Sequence, residues 1–557
     1  MSTRTLALIP SRLPRRASAL RLTAALCALA VAIVLGGCGG GGKAQDTAPS
    51  RAQPMETIFE AQSQLFTSPG PTLDALKAIG VDDVKIFMPW NEMTPNPLGH
   101  TRPAGFDATN PAAYAAPAWA PFDAVIREAA ARGMGVDLAL EAPAPLWATG
   151  PAVPAGTTGY FLGAWEPSAK EFGLFVQAVG KRYSGHYKPA GAGSPLPPVR
   201  FWSIWNEPNY GAQLAPQAVD HSTVEVSPLL YREIVDAAWT ALGQTGHGGD
   251  QIVIGEVAPR GQTTGDQPGN FSGMVPLRFI RALYCVDQSF HPLTGTAATL
   301  RGCPATASAS KAFPSQHPGL FHASGFAVHP YPQGQVTPNV PTANEPDYAD
   351  LPKLPDLEAT LDGAQKAYGL DARFPIYNTE FGYQTNPPET IQRAISPTVA
   401  AYYLNWAEYI SWKNPRVASW DQYLLSDPPP PGQPGGSSFD TGLEFTNGKP
   451  KDPMYDAFRM PLYLPNSSGK KGKALDVWGD VRPAHWQLSS SKAPQVVLIQ
   501  FKPASGGAFK TVSRVTLTDK YGYFNTSVTF PSSGSVRTVW SSPTGQIHSR
   551  VAPVTIH

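Results

Sequence analysis

Between Glu56 and about Tyr463, short apolar runs alternate with longer stretches whose apolar residues recur at helical spacing. The runs predict strands at Thr57–Ala61, Asp83–Met88, Gly135–Leu140, Val199–Trp205, Gln251–Gly255, Gly325–Val328, Phe374–Thr379 and Val417–Trp420. The stretches between them predict helices at Thr72–Ile79, Trp119–Arg132, Ser168–Tyr183, Pro228–Leu242, Val275–Leu283, Asp356–Tyr368 and Pro397–Trp412. In Trp119–Arg132, for example, Phe122, Val125, Ile126 and Ala129 share one face, and Gly133 follows as a C-terminal stop. Strand–helix alternation implies a parallel sheet covered by helices, and eight strands over about 400 residues fit a closed α/β (β/α)8 TIM barrel with loop insertions. A doubly wound open sheet competes, but no glycine-rich phosphate turn follows the first strand.

After the barrel, expected over 56–465, the pattern changes. Asn466–Lys473 is rich in Ser, Gly and Lys and predicts a linker. Beyond it, runs at Val496–Phe501, Val512–Thr518, Asn525–Phe530, Val536–Trp540 and Val551–Ile556 alternate with period two and show no helical period. They predict a small antiparallel β-sandwich, immunoglobulin-like, over 474–557.

Ahead of the barrel, Arg4, Arg12, Arg15, Arg16 and Arg21 precede the apolar run Leu22–Leu35, which is short for a membrane span. Leu35-Gly36-Gly37-Cys38 resembles a bacterial lipoprotein box. That resemblance implies a signal peptide over 1–38, lipidation of Cys38, and a chain anchored in the cell envelope by a flexible tether over 39–55. The alternative is an ordinary cleaved signal with an incidental cysteine and a secreted product. Of the four cysteines, Cys285 and Cys303 remain for the exported fold. A disulfide between them would contribute about 3 kcal/mol. No Cys/His cluster has metal-ligand spacing, so neither a metal nor another cofactor is expected.

Composition narrows the partners. Hydrophobic residues make up 42 % of the 557, ample for a core, while 43 Lys+Arg against 42 Asp+Glu leave a net charge of +1. That balance gives no electrostatic footprint for nucleic acid or anionic lipid, so membrane contact would come only through the N-terminal anchor. An uncharged partner is expected. The oligomeric state is left open.

The chemistry lies at two strand ends. Strand four runs out through Trp205-Asn206-Glu207-Pro208, and strand seven through Asn378-Thr379-Glu380-Phe381-Gly382. Residues just beyond the strands of such a barrel point into its mouth, and strands four and seven lie across the ring from each other. Two carboxyls facing one another, one protonated and one ionised, are what glycosidic bond cleavage requires.

These two motifs resemble glycoside hydrolase clan A, and the long loops resemble family 39 and its neighbours. The resemblance implies a retaining hydrolase of a carbohydrate substrate, a polysaccharide or oligosaccharide. Glu207 would be the acid/base, Glu380 the nucleophile, and Asn206 a partner of the sugar 2-hydroxyl. The carboxyls should lie roughly 5 Å apart. In His329-Pro330-Tyr331 it implies a hydroxyl beside the nucleophile, with His329 as a sugar ligand or a structural histidine. Trp420 resembles the aromatic platform under a pyranose, and Trp90, Trp147 and Trp205 also stand near strand ends, which suggests an aromatic-lined cleft. One position departs from the clan, where an arginine is common on strand two. Here Lys85 occupies it and is given no catalytic role. Glu141, Glu256 and Asp421 also fall near strand ends, where pairing with a nearby cation is expected, Arg260 in the case of Glu256.

Two other readings are a transglycosylase with the same carboxylate pair, and a catalytically inactive carbohydrate-binding barrel, against which the presence of both glutamates speaks. Sugar identity would reside in the loops Thr94–Pro117, Pro145–Glu166, Asn209–Ser227, Gly261–Met274 and Thr337–Lys353. Trp478, Trp486 and Trp540 in the C-terminal module are read as structural rather than as sugar platforms.

Overall fold

The computed structural model describes residues 55–219, 222–262, 271–391, 393–433, 436–491 and 493–557. The expected signal peptide, Cys38 and all but the last residue of the tether lie outside the described residues. Eight strands form one parallel sheet: β1 (Glu56–Glu60), β2 (Asp83–Pro89), β3 (Gly135–Glu141), β4 (Phe201–Ile204), β5 (Gln251–Val257), β6 (Gly325–Val328), β7 (Ile376–Asn378) and β8 (Ser419–Tyr423). Each pairs with its sequence neighbour, and β8 returns to β1. The seam between β7 and β8 closes through Ile376, which accepts from the Ala418 amide at 2.7 Å and donates to the Arg416 carbonyl at 2.8 Å. The result is a (β/α)8 barrel.

The covering helices include Pro69–Ala78, Ala116–Arg132, Ala169–Arg182, Ser227–Gln244, Pro276–Leu283, Leu354–Ala367 and Pro397–Lys413, all close to the predicted spans. Phe122, Val125, Ile126 and Ala129 are buried, and Gly133 ends its helix at φ +70°, a conformation glycine adopts without a Cβ penalty. Short helices lie between Gly295 and His322, the first of them inside the loop closed by the Cys285–Cys303 disulfide, which the structure contains.

Inside the barrel, Ile58, Phe201, Val253, Ala327 and Tyr377 form an apolar cluster. Two residues further along these strands the lumen turns polar, at Glu60, Ser203, His329 and Thr379. Alternation along a strand thus fills the floor with hydrocarbon and leaves the C-terminal rim for chemistry.

The C-terminal module is a two-sheet sandwich of β9 (Leu462–Tyr463), β10 (Ser468–Gly469), β11 (Ala474–Asp480), β12 (Val496–Pro503), β13 (Lys510–Thr516), β14 (Tyr523–Thr529), β15 (Gly534–Ser542), β16 (Gly545–His548) and β17 (Ala552–Ile556). One sheet runs β10-β17-β15-β12-β13 with β16 on β15, and the other runs β14-β11-β9. Three features differ from the sequence pattern. The segment expected as a linker carries β10, whose Ser468 and Gly469 pair in parallel with Thr555 and Ile556. A two-residue polar strand has no period to detect. β9 comes from residues assigned to the barrel, and a helix at Ala484–Ser491 interrupts the strands.

The module is fastened to the barrel by buried polar groups. Arg482 donates to Glu408 at 2.7 Å, to the Thr57 hydroxyl at 2.8 Å and to the Phe458 carbonyl at 2.9 Å. Tyr523 also donates to Glu408 at 2.9 Å, while Arg550 donates to Asn405 at 2.7 Å. His485 lies 3.0 Å from Asp82. Trp478 and Trp540 are buried, and Trp478 lies against Tyr409, Trp412 and Tyr523, in keeping with a structural role.

Candidate active site

Glu207 reaches the barrel mouth by a strained path. Trp205 and Glu207 adopt φ of +69° and +39°, a left-handed region costly for a residue with a Cβ. The Glu207 amide donates to the Glu256 carbonyl at 2.9 Å, which locks the turn. Glu256 itself has φ +47° and follows Gly255 at φ +103°. Here β5 advances three residues, Ile254 to Val257, while β6 advances two, Phe326 to Val328. This bulge turns Glu256 into the lumen, where simple alternation from Val253 would have sent it outward. A Cβ at 255 would stand 2.6 Å from the Phe326 ring, so the bulge requires glycine.

The side chains from β2, β4, β5, β6 and β7 then converge. His329 bridges Glu207 Oε1 at 3.0 Å through Nδ1 and Glu256 Oε2 at 2.8 Å through Nε2. Its Nδ1 is also 3.4 Å from Glu380 Oε2. One carboxylate oxygen each of Glu207 and Glu380, with a ring nitrogen of His329, lie within 4.8 Å of one another. Tyr331 donates to Glu380 Oε2 at 3.3 Å. Behind them, Glu256 Oε2 also accepts from Lys85 Nζ at 2.8 Å and from the Thr379 hydroxyl at 2.9 Å. Lys85 lies 3.8 Å from Glu380 and 4.0 Å from Glu60.

The charges follow from this geometry. Burial alone would raise the Glu256 carboxyl, but Lys85 and the hydrogen-bonded His329 hold it well below the carboxylate range. Burial alone would lower His329, yet the charge of Glu380 and the bonds to Glu207 and Glu256 raise it to about 10. His329 is therefore an imidazolium at neutral pH, donating from both nitrogens. Burial would likewise lower Lys85, but Glu256, Glu380 and Glu60 raise it. Glu380 is raised by burial and opposed first by His329 and then by Lys85. Glu60 and Asp421 are pushed well up, mainly by burial, Asp137 rises to about 7 and Glu141 to about 8. Two fixed cations thus serve a ring of carboxyls, of which only some can ionise together.

Glu207, His329 and Glu380 could in principle surround a cation. Both ring nitrogens of His329 are already engaged by carboxylates, Nδ1 by Glu207 and Nε2 by Glu256.

Of the residues expected at the site, Glu207, Glu380, His329 and Tyr331 meet there. Asn206 is adjacent, and its buried side-chain oxygen has no hydrogen-bond partner among the described residues. The aromatic positions differ. Trp420 pairs in register with Thr57, which faces outward to Arg482, so the residue is 1 % exposed and its ring lies against Phe381. It cannot underlie a sugar. Asp421 and Tyr423 pair with Ile58 and Glu60 and face the lumen, and Tyr423 supplies the aromatic face beside Tyr331. Trp90 and Trp205 are fully buried, and Trp147 is wedged against Trp90 and Phe106. Trp90 and Trp205 pack against Phe172 of a covering helix, whereas Trp147 is half-buried in a loop beside Arg102. Arg260 does not pair with Glu256; that role belongs to Lys85 and His329.

No protein-family model and no curated protein matches this chain. Among solved structures, it is similar to a family 39 glycoside hydrolase from Bacteroides cellulosilyticus WH2, at 13 % identity and TM-score 0.43, covering 86 % of this chain and 79 % of that one. A GH5_18 protein from Streptomyces cattleya gives 13 % identity and TM-score 0.43 over 74 % of this chain and 80 % of that one. A β-glucosidase from Thermotoga maritima gives 12 % identity and TM-score 0.42 over 74 % of this chain and 97 % of that one. At such identities the chemistry has to be argued from the side chains.

Proposed function

We propose that this chain is a retaining glycoside hydrolase acting on a polysaccharide or oligosaccharide, exported and lipid-anchored at Cys38. The observation that carries the reading is the approach of Glu207 and Glu380 to within 4.8 Å, oxygen to oxygen, at the barrel mouth. A separation near 5 Å suits a nucleophile and an acid acting on one anomeric carbon, whereas an inverting pair leaves room for a water between. Glu380 attacks that carbon. The glycosidic C–O bond breaks with its electron pair on the leaving oxygen, which takes the proton of Glu207. Glu207 then removes a proton from water, whose oxygen displaces Glu380 and restores the original configuration.

The surroundings support this division. Tyr331 donates to Glu380 Oε2, the charge of His329 lies 3.4 Å from the same oxygen, and Lys85 faces the other oxygen, which favours the carboxylate that attacks. The test is chemical rescue. Glu380→Ala should lose at least about a thousandfold in kcat and regain turnover with azide, giving a glycosyl azide of inverted configuration. Full activity in Glu380→Ala would refute the assignment. Transglycosylation shares every step except the acceptor, and product analysis separates the two.

A further inference from the structure

Arg260 stands at the mouth just beyond β5, and its environment is unlike that of the other cations of the site. The side chain is exposed. Its Nε donates to the Tyr210 hydroxyl at 3.2 Å and its Nη1 to Gln333 Oε1 at 3.3 Å. The Gln333 amide is itself oriented, because its Nε2 donates to the Tyr331 carbonyl at 3.1 Å. Tyr210 is tied to the acid/base turn, its amide donating to the Glu207 carbonyl at 2.8 Å. Two neutral acceptors, one from the β4 loop and one from the β6 loop, therefore set the plane of the guanidinium. Neither neutralises it. Among the described residues no carboxylate lies within 4.0 Å of Arg260, and its Nη2 makes no hydrogen bond to them.

The location gives this cation a meaning that rests on the glycosidase reading. An acid that protonates the leaving oxygen stands on the leaving-group side of the broken bond. Arg260 lies beyond Glu207 on that side, in the β4–β6 sector, away from Glu380 on β7. A guanidinium held flat by two hydrogen bonds, with a free edge, matches a planar carboxylate in a way that a lysine would not. We propose that Arg260, positioned by Tyr210 and Gln333, binds an acidic sugar on the leaving-group side through its carboxylate. The substrate class is then a glycan in which the residue released by the first step is a uronic acid. This modifies the expectation, drawn from net charge alone, of an uncharged partner.

The test uses the full chain and two readouts. In ligand-observed NMR titrations, D-glucuronate should bind at least tenfold more tightly than D-glucose. Arg260→Gln should remove that difference, and Arg260→Lys should restore part of it. In turnover, the ratio of kcat/KM for 4-carboxyphenyl over 4-carbamoylphenyl glycosides, tried as the β-D-glucoside, mannoside, galactoside and xyloside, should fall at least tenfold in Arg260→Gln. Equal binding of glucuronate and glucose by the unaltered chain, or a preference that survives in Arg260→Gln, would overturn the proposal. Tighter binding of glucose 6-phosphate than of glucuronate would overturn the carboxylate assignment. Arg260-dependent uronate binding by a chain that cleaves no glycoside would support the anion site and refute the hydrolase reading.

Discussion

Lys85 and Glu256, 2.8 Å apart and wholly buried, form the ion pair on which the active-site charges rest. Glu256 also fixes the second nitrogen of His329, so the pair orients the imidazolium that reaches Glu207 and Glu380. Removing one member leaves the other charge buried without its partner. Lys85→Ala should therefore cost about 3–5 kcal/mol of stability, read from denaturant midpoints. Lys85→Met would cost a similar amount, because the lost charge rather than the lost volume dominates.

His329 gives a pH signature. Its folded pKa of about 10 lies above the ordinary value of 6.5, so its contribution is complete below pH 6.5 and is lost as pH rises through 10. Thermal midpoints of the unaltered chain should fall over that window, and those of His329→Asn should stay flatter. The rate should show an alkaline limb near pH 10 that His329→Asn lacks.

Asp137 also loses stability as pH rises, but as a cost that appears rather than a contribution that is lost. Buried, and accepting from Ser203 at 3.0 Å, it has a carboxyl raised from 3.8 to about 7. A raised acid costs stability above its unfolded pKa, and the cost grows until the folded pKa is passed. Asp137→Asn should stabilise the protein at pH 8 by on the order of 1–3 kcal/mol, with the gain vanishing toward pH 4. A gain independent of pH would assign the effect to packing instead.

Trp420 and Tyr423 separate stability from binding. Trp420→Ala should destabilise by about 3–5 kcal/mol through the cavity it leaves. Tyr423→Ala should keep the melting temperature near that of the unaltered chain and raise KM for glycosides. The reverse pattern would place the sugar platform at Trp420 after all.

The same two residues show what the sequence discloses. Short apolar runs between stretches of helical spacing placed all eight barrel strands to within a few residues, because burial of a parallel strand leaves that mark directly in the sequence. Strand-end position was enough to bring Glu207, His329, Tyr331 and Glu380 together. Facing direction was harder. β8 continues to Tyr423, and only its register against β1 reveals that Trp420 points outward. Glu256 enters the lumen through a one-residue bulge, so counting from Val253 gives the wrong side. The Gly255-Glu256 step was the available signal, since glycine inside a strand often marks a bulge. The Lys85–Glu256 pair spans 171 residues of sequence, a contact that no local pattern can disclose.

The clamp at Arg482 has a consequence for biosynthesis. Thr57 is among the first residues of the barrel to leave the ribosome, yet the partner of its hydroxyl, Arg482, emerges 425 residues later. The opening strand must wait, without its final partner, while those 425 residues are made. A chain cut short before Arg482 would present an unfinished barrel to proteases, whatever the completeness of its catalytic half.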